Sequence, residues 1–338
     1  MSRRLPVYLV LDCSESMAGP AIEEVSRGVE TLVSTLRANP LALETAYLSV
    51  ITFSHYAKQV IPLTDVVNFQ PPRLKVRTGT ALGAALTLLQ ACMKREIVQT
   101  SSTVKGDYKT LVFLLTDGQP TDDWEGPADA LRAANRPRIA NIYAIGCGPD
   151  VDHGVLRRVT DIVLNMPDLS PDALRKAFVW LSASVQSASV RFQEGGGLTP
   201  IEMPRLPEGL EVAASCMQER HETEPRQVFL HARCSRTRQP YLMRFARRYR
   251  GGQYEAITAH PLEEFEEGDA DLLPPINSAM LDGCPSCPYC ENPVAAVCPC
   301  GGIFCSGPNQ TGLVTCPTCG AQLTDTGPGS FDIQRSAG

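Results

Sequence analysis

Three small oxygen-bearing side chains leave one apolar run together. Val7 to Leu11 stops at Asp12, and Ser14 and Ser16 follow at alternate positions in a DxSxS pattern. A carboxylate with two neutral hydroxyls suits a hard divalent cation such as Mg2+, which takes oxygen ligands in near-octahedral geometry and retains waters. Two distant segments offer the same chemistry. RTGTALGAAL, from Arg77 to Leu86, carries Thr80 on a glycine-containing loop ahead of a helical repeat. TLVFLLTDGQPT, from Thr110 to Thr121, ends an apolar run in Asp117. DxSxS by itself also fits a turn whose serines cap a helix. Three strand-end loops converging on one point favour the ion.

Thiols form the second chemistry-bearing group. Of the 13 cysteines, eight crowd together: Cys284, Cys287 and Cys290 at CxxCxxC spacing, Cys298 and Cys300 as CxC, then Cys305, then Cys316 and Cys319 as CPTC. So short a segment cannot build an adequate apolar core, and thiolates holding two tetrahedral Zn2+ ions supply its folding energy instead. Disulfides or an iron–sulfur cluster are the alternatives. The spacing suggests Cys287, Cys290, Cys316 and Cys319 on one ion and Cys284, Cys298, Cys300 and Cys305 on the other, although an interleaved partition satisfies it too. Sites closed by four sulfurs are structural. Cys13, Cys92 and Cys147 read as buried small hydrophobes, with Cys13 aimed away from the cation by strand alternation.

The elements that position these residues alternate. After the first loop, Ile22, Val25, Val29, Leu32, Val33 and Leu36 recur at helical spacing until Asn39 and Pro40. A strand follows from Tyr47 to Phe53, with a short edge partner from Ala57 to Ile61 across a turn at Ser54 and His55. A helix through Leu82 to Met93 precedes the strand ending at Asp117. A helix from Ala128 to Asn135, a strand from Ile139 to Ile145, a helical turn near Leu156, a strand from Ile162 to Leu164 and a helix from Pro171 to about Val185 complete the pattern. Alternating strands and helices with apolar strands predict an α/β fold, a doubly wound and mostly parallel sheet spanning 1–190.

Gln193 to Glu208, with a triple glycine and three prolines, reads as a boundary linker. Strands at Val228 to Cys234, Tyr241 to Tyr249 and Gln253 to Thr258, with a Gly251-Gly252 turn, predict a small antiparallel β domain over 209–265. A zinc-ribbon-like module over 281–323 follows it. Arginines concentrate in the β domain, and alternation puts Arg244, Arg248 and Arg250 on one strand face. That face is either simply solvated or a docking surface for an acidic or phosphorylated partner. His221, His231 and His260 have no spaced partners and are assigned no chemistry.

With 338 residues, 43% of them hydrophobic, the chain has material for two or three globular domains. A formal net charge of −6 argues against general nucleic-acid binding. Arg3 and Arg4 ahead of the first apolar run imitate a signal peptide, but the run is short, contains Pro6 and leads into Asp12. Together with the knuckle-spaced thiols, this predicts a cytoplasmic protein.

The set Asp12, Ser14, Ser16, Thr80 and Asp117 resembles the complete metal-ion-dependent adhesion site of a von Willebrand factor A domain, and no position departs from that pattern. The resemblance implies that the serines and threonine ligate Mg2+ (or Mn2+ or Ca2+) directly or through water, that the aspartates support it mostly through water, and that a partner's carboxylate completes the shell. The order of modules and the cysteine pattern resemble the TerY-type proteins of bacterial tellurite-resistance and stress clusters. That resemblance implies a cytoplasmic adaptor accompanied by a protein kinase and a PP2C-type phosphatase.

The sequence therefore predicts a non-enzymatic, metal-dependent protein-binding module. A haloacid-dehalogenase-like phosphohydrolase would need a second acid where Ser14 stands, and serine cannot act as that acid at neutral pH. No GxSxG or Walker-type loop is present. A zinc-ribbon nucleic-acid binder using the arginines is opposed by the acidic total and by the lack of aromatic residues among the thiols beyond Tyr289 and Phe304.

Overall fold

The structure, a computed structural model, describes residues 3–101, 103–116, 119–134, 137, 139–148, 151–167, 170–193, 204–213, 227–247, 252–262, 274–307, 314–323 and 331–335. The first sheet is built from β1 (Leu5–Asp12), β2 (Ala46–Phe53), β3 (Ala57–Asp65), β4 (Thr110–Thr116), β5 (Ile139–Cys147), β6 (Ile162–Met166) and β7 (Glu211–Val212). Their order is β3-β2-β1-β4-β5-β6-β7. β1, β2, β4, β5 and β6 run parallel, and β3 and β7 are antiparallel edges. β1 and β4 are buried along their whole length, as strands covered on both faces must be.

The helices are α1 (Pro20–Arg37), α2 (Pro40–Thr45), α3 (Leu82–Glu96), α4 (Glu125–Ala133), α5 (His153–Val159) and α6 (Pro171–Gln193). On one face of the sheet, Leu86 and Leu89 of α3, Leu131 of α4 and Leu156 of α5 pack with Tyr8, Val10, Val112 and Leu114. The opposite face carries Phe113 and Tyr143, whose rings stack on each other and meet Trp180 of α6 edge-on. α1 lies against α6 at Gly28, where an added Cβ would come within 2.2 Å of the Phe178 ring. The mostly parallel α/β sheet expected from the alternating pattern is thus present. Chain order reverses between β1 and β4, because the chain leaves β1 toward β2 and β3 and returns on the other side at β4. A ligand crevice opens beyond the carboxyl ends of strands at such a reversal.

A second sheet contains β8 (Gln227–Arg233), β9 (Pro240–Ala246), β10 (Tyr254–Pro261), β12 (Leu281–Asp282), β13 (Val294–Val297) and β14 (Ile303–Ser306). Its order is β12-β10-β9-β8-β14-β13. Two small pairs accompany it: β11 (Ile276–Asn277) with β17 (Asp332–Ile333), and β15 (Val314–Thr315) with β16 (Gln322–Leu323). This corrects the expected division into a β domain over 209–265 and a separate cysteine module over 281–323. β14 pairs parallel with β8, and one apolar cluster joins Val228, Leu230, Tyr241 and Phe245 to Ile303, Cys287 and Cys305. The cysteine-rich hairpin has too few apolar residues for a core of its own and completes that of its neighbour. The lower bound also moves, because Glu211–Val212 pairs with the open edge of β6 in the first sheet. Gly251 and the central part of the expected linker lie outside the described residues.

The chain divides into two compact units. One holds Met1–Cys13, Pro20–Leu74 and Thr80–Arg220; the other holds Ser14–Gly19, Lys75–Gly79 and His221–Gly338.

Candidate metal centres

Asp12 is the last residue of β1 and is 1% exposed. Its Oδ2 accepts a 2.5 Å hydrogen bond from the Thr116 hydroxyl at the end of β4. Parallel pairing of β1 with β4, in register up to Leu11 and Leu115, puts the two strand ends side by side. Beyond Asp12 the chain leaves the sheet, and Glu15–Met17 forms a short 3-10 turn in which the Met17 N–H donates to the Ser14 carbonyl at 3.1 Å. The turn brings Ser14 Oγ and Ser16 Oγ to 2.9 Å from each other. Two oxygens on adjacent corners of an Mg2+ octahedron are also about 2.9 Å apart, given metal–oxygen distances of 2.0–2.1 Å. The donor set therefore fits the ion.

Thr80 is buried in the loop entering α3. Its N–H donates to the Thr121 hydroxyl at 3.0 Å, and its carbonyl accepts the Thr121 N–H at 3.0 Å. The neighbouring Ala81 N–H donates to the Ser54 carbonyl at 2.6 Å. Asp122 holds this loop from the other side, its two carboxylate oxygens accepting the N–H groups of Gly83 and Ala84 at 2.9 and 2.8 Å. An anion at the first turn of a helix satisfies orphan donors and complements the dipole. Asp122 does not stand out in the sequence, because its contacts are long-range. Asp117 lies outside the described residues.

Among the described residues eight thiols form two groups, and neither matches the partition suggested by spacing. Cys234, Cys287, Cys290 and Cys305 make one, and Cys298, Cys300, Cys316 and Cys319 make the other; within each group the sulfurs all lie within 4.8 Å of one another. The sulfurs of Cys290 and Cys305 are 3.4 Å apart, those of Cys298 and Cys319 3.6 Å, and those of Cys300 and Cys316 3.8 Å. Sulfurs on a tetrahedral zinc at 2.3 Å stand about 3.8 Å apart, so the groups have the right size.

Cys284 belongs to neither group, and Cys234, directly after β8, takes its place. The reason is local backbone geometry. At Cys287 the N–H donates to the Asn292 carbonyl and the carbonyl accepts the Glu291 N–H; Cys234 repeats this with Gln239 and Arg238, and Cys316 with Ala321 and Gly320. Arg238, Glu291 and Gly320 all have positive φ, as the tight return of each turn requires. Cys234 thus begins a knuckle whose second cysteine is replaced by Thr237, and Cys305 on β14 supplies the missing sulfur.

Burial pushes the Cys234 thiol up, but donors from Thr237 and Arg236 with a hydrogen bond involving Cys290 outweigh it and bring it down to about 6. Burial raises Cys287, and it holds Cys300 up at about 12. Cys316 is brought down to about 7 as the N–H groups of Cys319 and Thr318 overcome burial. One thiolate forms readily in each group, and its charge opposes the next ionisation. A divalent cation reverses that opposition.

Of the expected arginine face, Arg248 and Arg250 lie outside the described residues. Arg244 is half-buried, donates from Nε to Gln227 at 2.7 Å and lies 5.9 Å over the Phe229 ring. Cys13, Cys92 and Cys147 are buried, as small hydrophobes would be.

The sheet order and the Asp12–Thr116 and Ser14–Ser16 pairs go with a family match: residues 7–168 are a von Willebrand factor type A domain. Residues 224–338 match the TerY-C metal binding domain. The chain is a TerY-type von Willebrand factor A protein with a C-terminal cysteine-rich metal-binding module. No curated protein matches it. Among solved structures, proximal thread matrix protein 1 from the mussel byssus is 18% identical, with a TM-score of 0.40, over 54% of this chain and 48% of that one. A form of that protein with a zinc-occupied MIDAS motif is 21% identical, with a TM-score of 0.40, over 56% of this chain and 46% of that one. The pilus adhesin SpaC from Lactobacillus rhamnosus GG, in its open conformation, is 16% identical, with a TM-score of 0.44, over 55% of this chain and 30% of that one. The chain spans less than half the length of each of these three.

Proposed function

We propose that the protein is a non-enzymatic adaptor that binds an acidic group of a partner protein through a divalent cation, Mg2+ or alternatively Mn2+ or Ca2+. Asp12, Ser14, Ser16, Thr80 and Asp117 hold that ion. The observation that carries the reading is the oxygen set at the end of β1: two hydroxyls 2.9 Å apart beside a carboxylate whose Oδ2 is already engaged by Thr116. A hard cation in such a set keeps coordination positions for water or a carboxylate from outside. Hydrolysis of a phosphoester would need an acid at position 14, which is serine.

In the same proposal, the two thiol groups each carry a structural Zn2+ that fixes the second sheet. The arginines at 244, 248 and 250 steer an acidic partner. By the TerY resemblance, that partner is a protein kinase or a PP2C-type phosphatase in a cytoplasmic stress system. Among the described residues no helix is long and apolar enough to cross a membrane. Copurification from the native host with Mg2+ and with EDTA tests the reading: a partner retained only with Mg2+ supports it, and retention unchanged by EDTA contradicts it. Changing the three arginines to serine is expected to slow association with the captured partner and flatten its salt dependence.

A further inference from the structure

The residue between the two site serines is an acid with no surface of its own. The Glu15 side chain is fully buried, its Oε2 accepts the Gly79 N–H at 2.9 Å, and its Oε1 lies 2.8 Å from His231 Nε2. The His231 contact has the distance of an ion pair without the alignment of a linear hydrogen bond. A carboxylate at this depth persists only with compensating donors or cations. Here they come from a loop before α3 and from β8.

Apolar packing surrounds the pair. Ala18 is buried with Phe229, Leu242 and Leu262, and Val76 packs against them. Gly19 has φ +82, and a Cβ there would lie 2.5 Å from the His260 ring, so the loop passes this sheet at a distance that only glycine permits. Cross-strand register sets His231 opposite Leu242 and Leu242 opposite His260, a single row across β8, β9 and β10. Alternation turns this row away from Leu230 and Met243, which face the core shared with the thiols. Ser14–Gly19, Lys75–Gly79 and the residues of this row belong to one compact unit. Ser14 is 0% and Ser16 9% exposed.

We propose that Glu15 and His231 form a latch that holds the serine loop against the outer face of the C-terminal sheet, so that the chain's own sheet covers the loop until a partner displaces it. The last clause rests on the adaptor reading; the latch itself does not. Glu15 and His231 are positioning residues. Glu15 belongs to the loop that would hold the cation, His231 touches the loop at Glu15, and neither contributes a ligand to the ion. Because β8 carries His231 and runs directly into Cys234, the strand that ends in a thiol cluster also presents the latch.

Amide hydrogen exchange on the full, zinc-loaded chain tests this. His231→Phe keeps the ring volume and removes the nitrogen facing Glu15, and Glu15→Gln removes the charge while keeping the shape. The amides of 14–19 are expected to exchange at least about tenfold faster in His231→Phe and by a smaller factor in Glu15→Gln, with zinc content and protection of β9 unchanged. Should His231→Phe lose zinc or β9 protection, Glu15→Gln alone decides. Wild-type exchange at 14–19 in a variant that keeps its zinc overturns the latch. Mn2+ binding measured on the same samples reports separately on the adaptor reading, since exchange at 14–19 is read without added cation.

Discussion

The hydroxyl of Thr116 donates a 2.5 Å hydrogen bond to Oδ2 of Asp12, tying the end of β4 to the end of β1 where the strand order reverses. Both residues are buried. Thr116→Val preserves the shape and removes the donor. A hydrogen bond to a charged group contributes about 1.5–3 kcal/mol, and urea unfolding should register a loss of that order, with Mg2+ binding weakened several-fold. Unchanged stability together with unchanged affinity would show that Asp12 is positioned by something else.

Asp122 accepts two N–H groups from the first turn of α3. Asp122→Ala should cost about 1 kcal/mol, the usual effect of losing a helix cap, and speed amide exchange over 80–84 next to Thr80. Thermal unfolding and exchange read the two effects independently. A cost without loosening would separate the cap from the positioning of Thr80.

Gly28→Ala reverses the ordinary rule for helix interiors. Alanine is normally favoured over glycine there by about 1 kcal/mol. At this position its Cβ would lie 2.2 to 2.7 Å from the Phe178 ring atoms. The expected result is a net loss of about 1–3 kcal/mol from overpacking, partly restored by Phe178→Leu in the same chain. Stabilisation by Gly28→Ala alone would contradict the close approach of α1 and α6.

Elemental analysis distinguishes the cysteine partition found in the structure from the one suggested by spacing. Two zinc ions per chain are expected in the wild type, two in Cys284→Ser, and about one in either Cys234→Ser or Cys316→Ser, since removing one sulfur opens a four-sulfur site. Retention of both ions in Cys234→Ser, with loss of one in Cys284→Ser, would restore the spacing-based set. Strong chelation should release both ions and unfold the second sheet while the first remains, because structural zinc is folding energy where the apolar core is thin.

The parts of this architecture visible in the sequence are those encoded over short spans. The apolar strand ending in Asp12, the DxSxS spacing and the helical repeat from Ile22 are local patterns, and the fold built on them is the one expected. Cys234 was not legible because its knuckle has Thr237 where a second cysteine would signal it, and its remaining partners come from the distant Cys287, Cys290 and Cys305. Cys284 misled for the converse reason. It stands in the same run as the Cys287/Cys290 knuckle and so counts as an eighth ligand by spacing, but in the fold its sulfur joins neither group. Glu15 looks like a spacer between ligands until the fold brings His231 and Gly79 to it. The union of the β domain with the cysteine module depends on the parallel pairing of β14 with β8, a long-range contact that no periodicity announces.

The most direct test of the central claim is calorimetric titration of Mg2+ into the zinc-loaded chain, comparing wild type with the Ser14→Ala/Ser16→Ala double variant. These changes remove two neutral ligands and alter no charge, so nonspecific electrostatic attraction of the cation is the same in both proteins. The account predicts one saturable binding event in the wild type and none in the variant over the same concentrations. Equal Mg2+ affinity in the two proteins would contradict it.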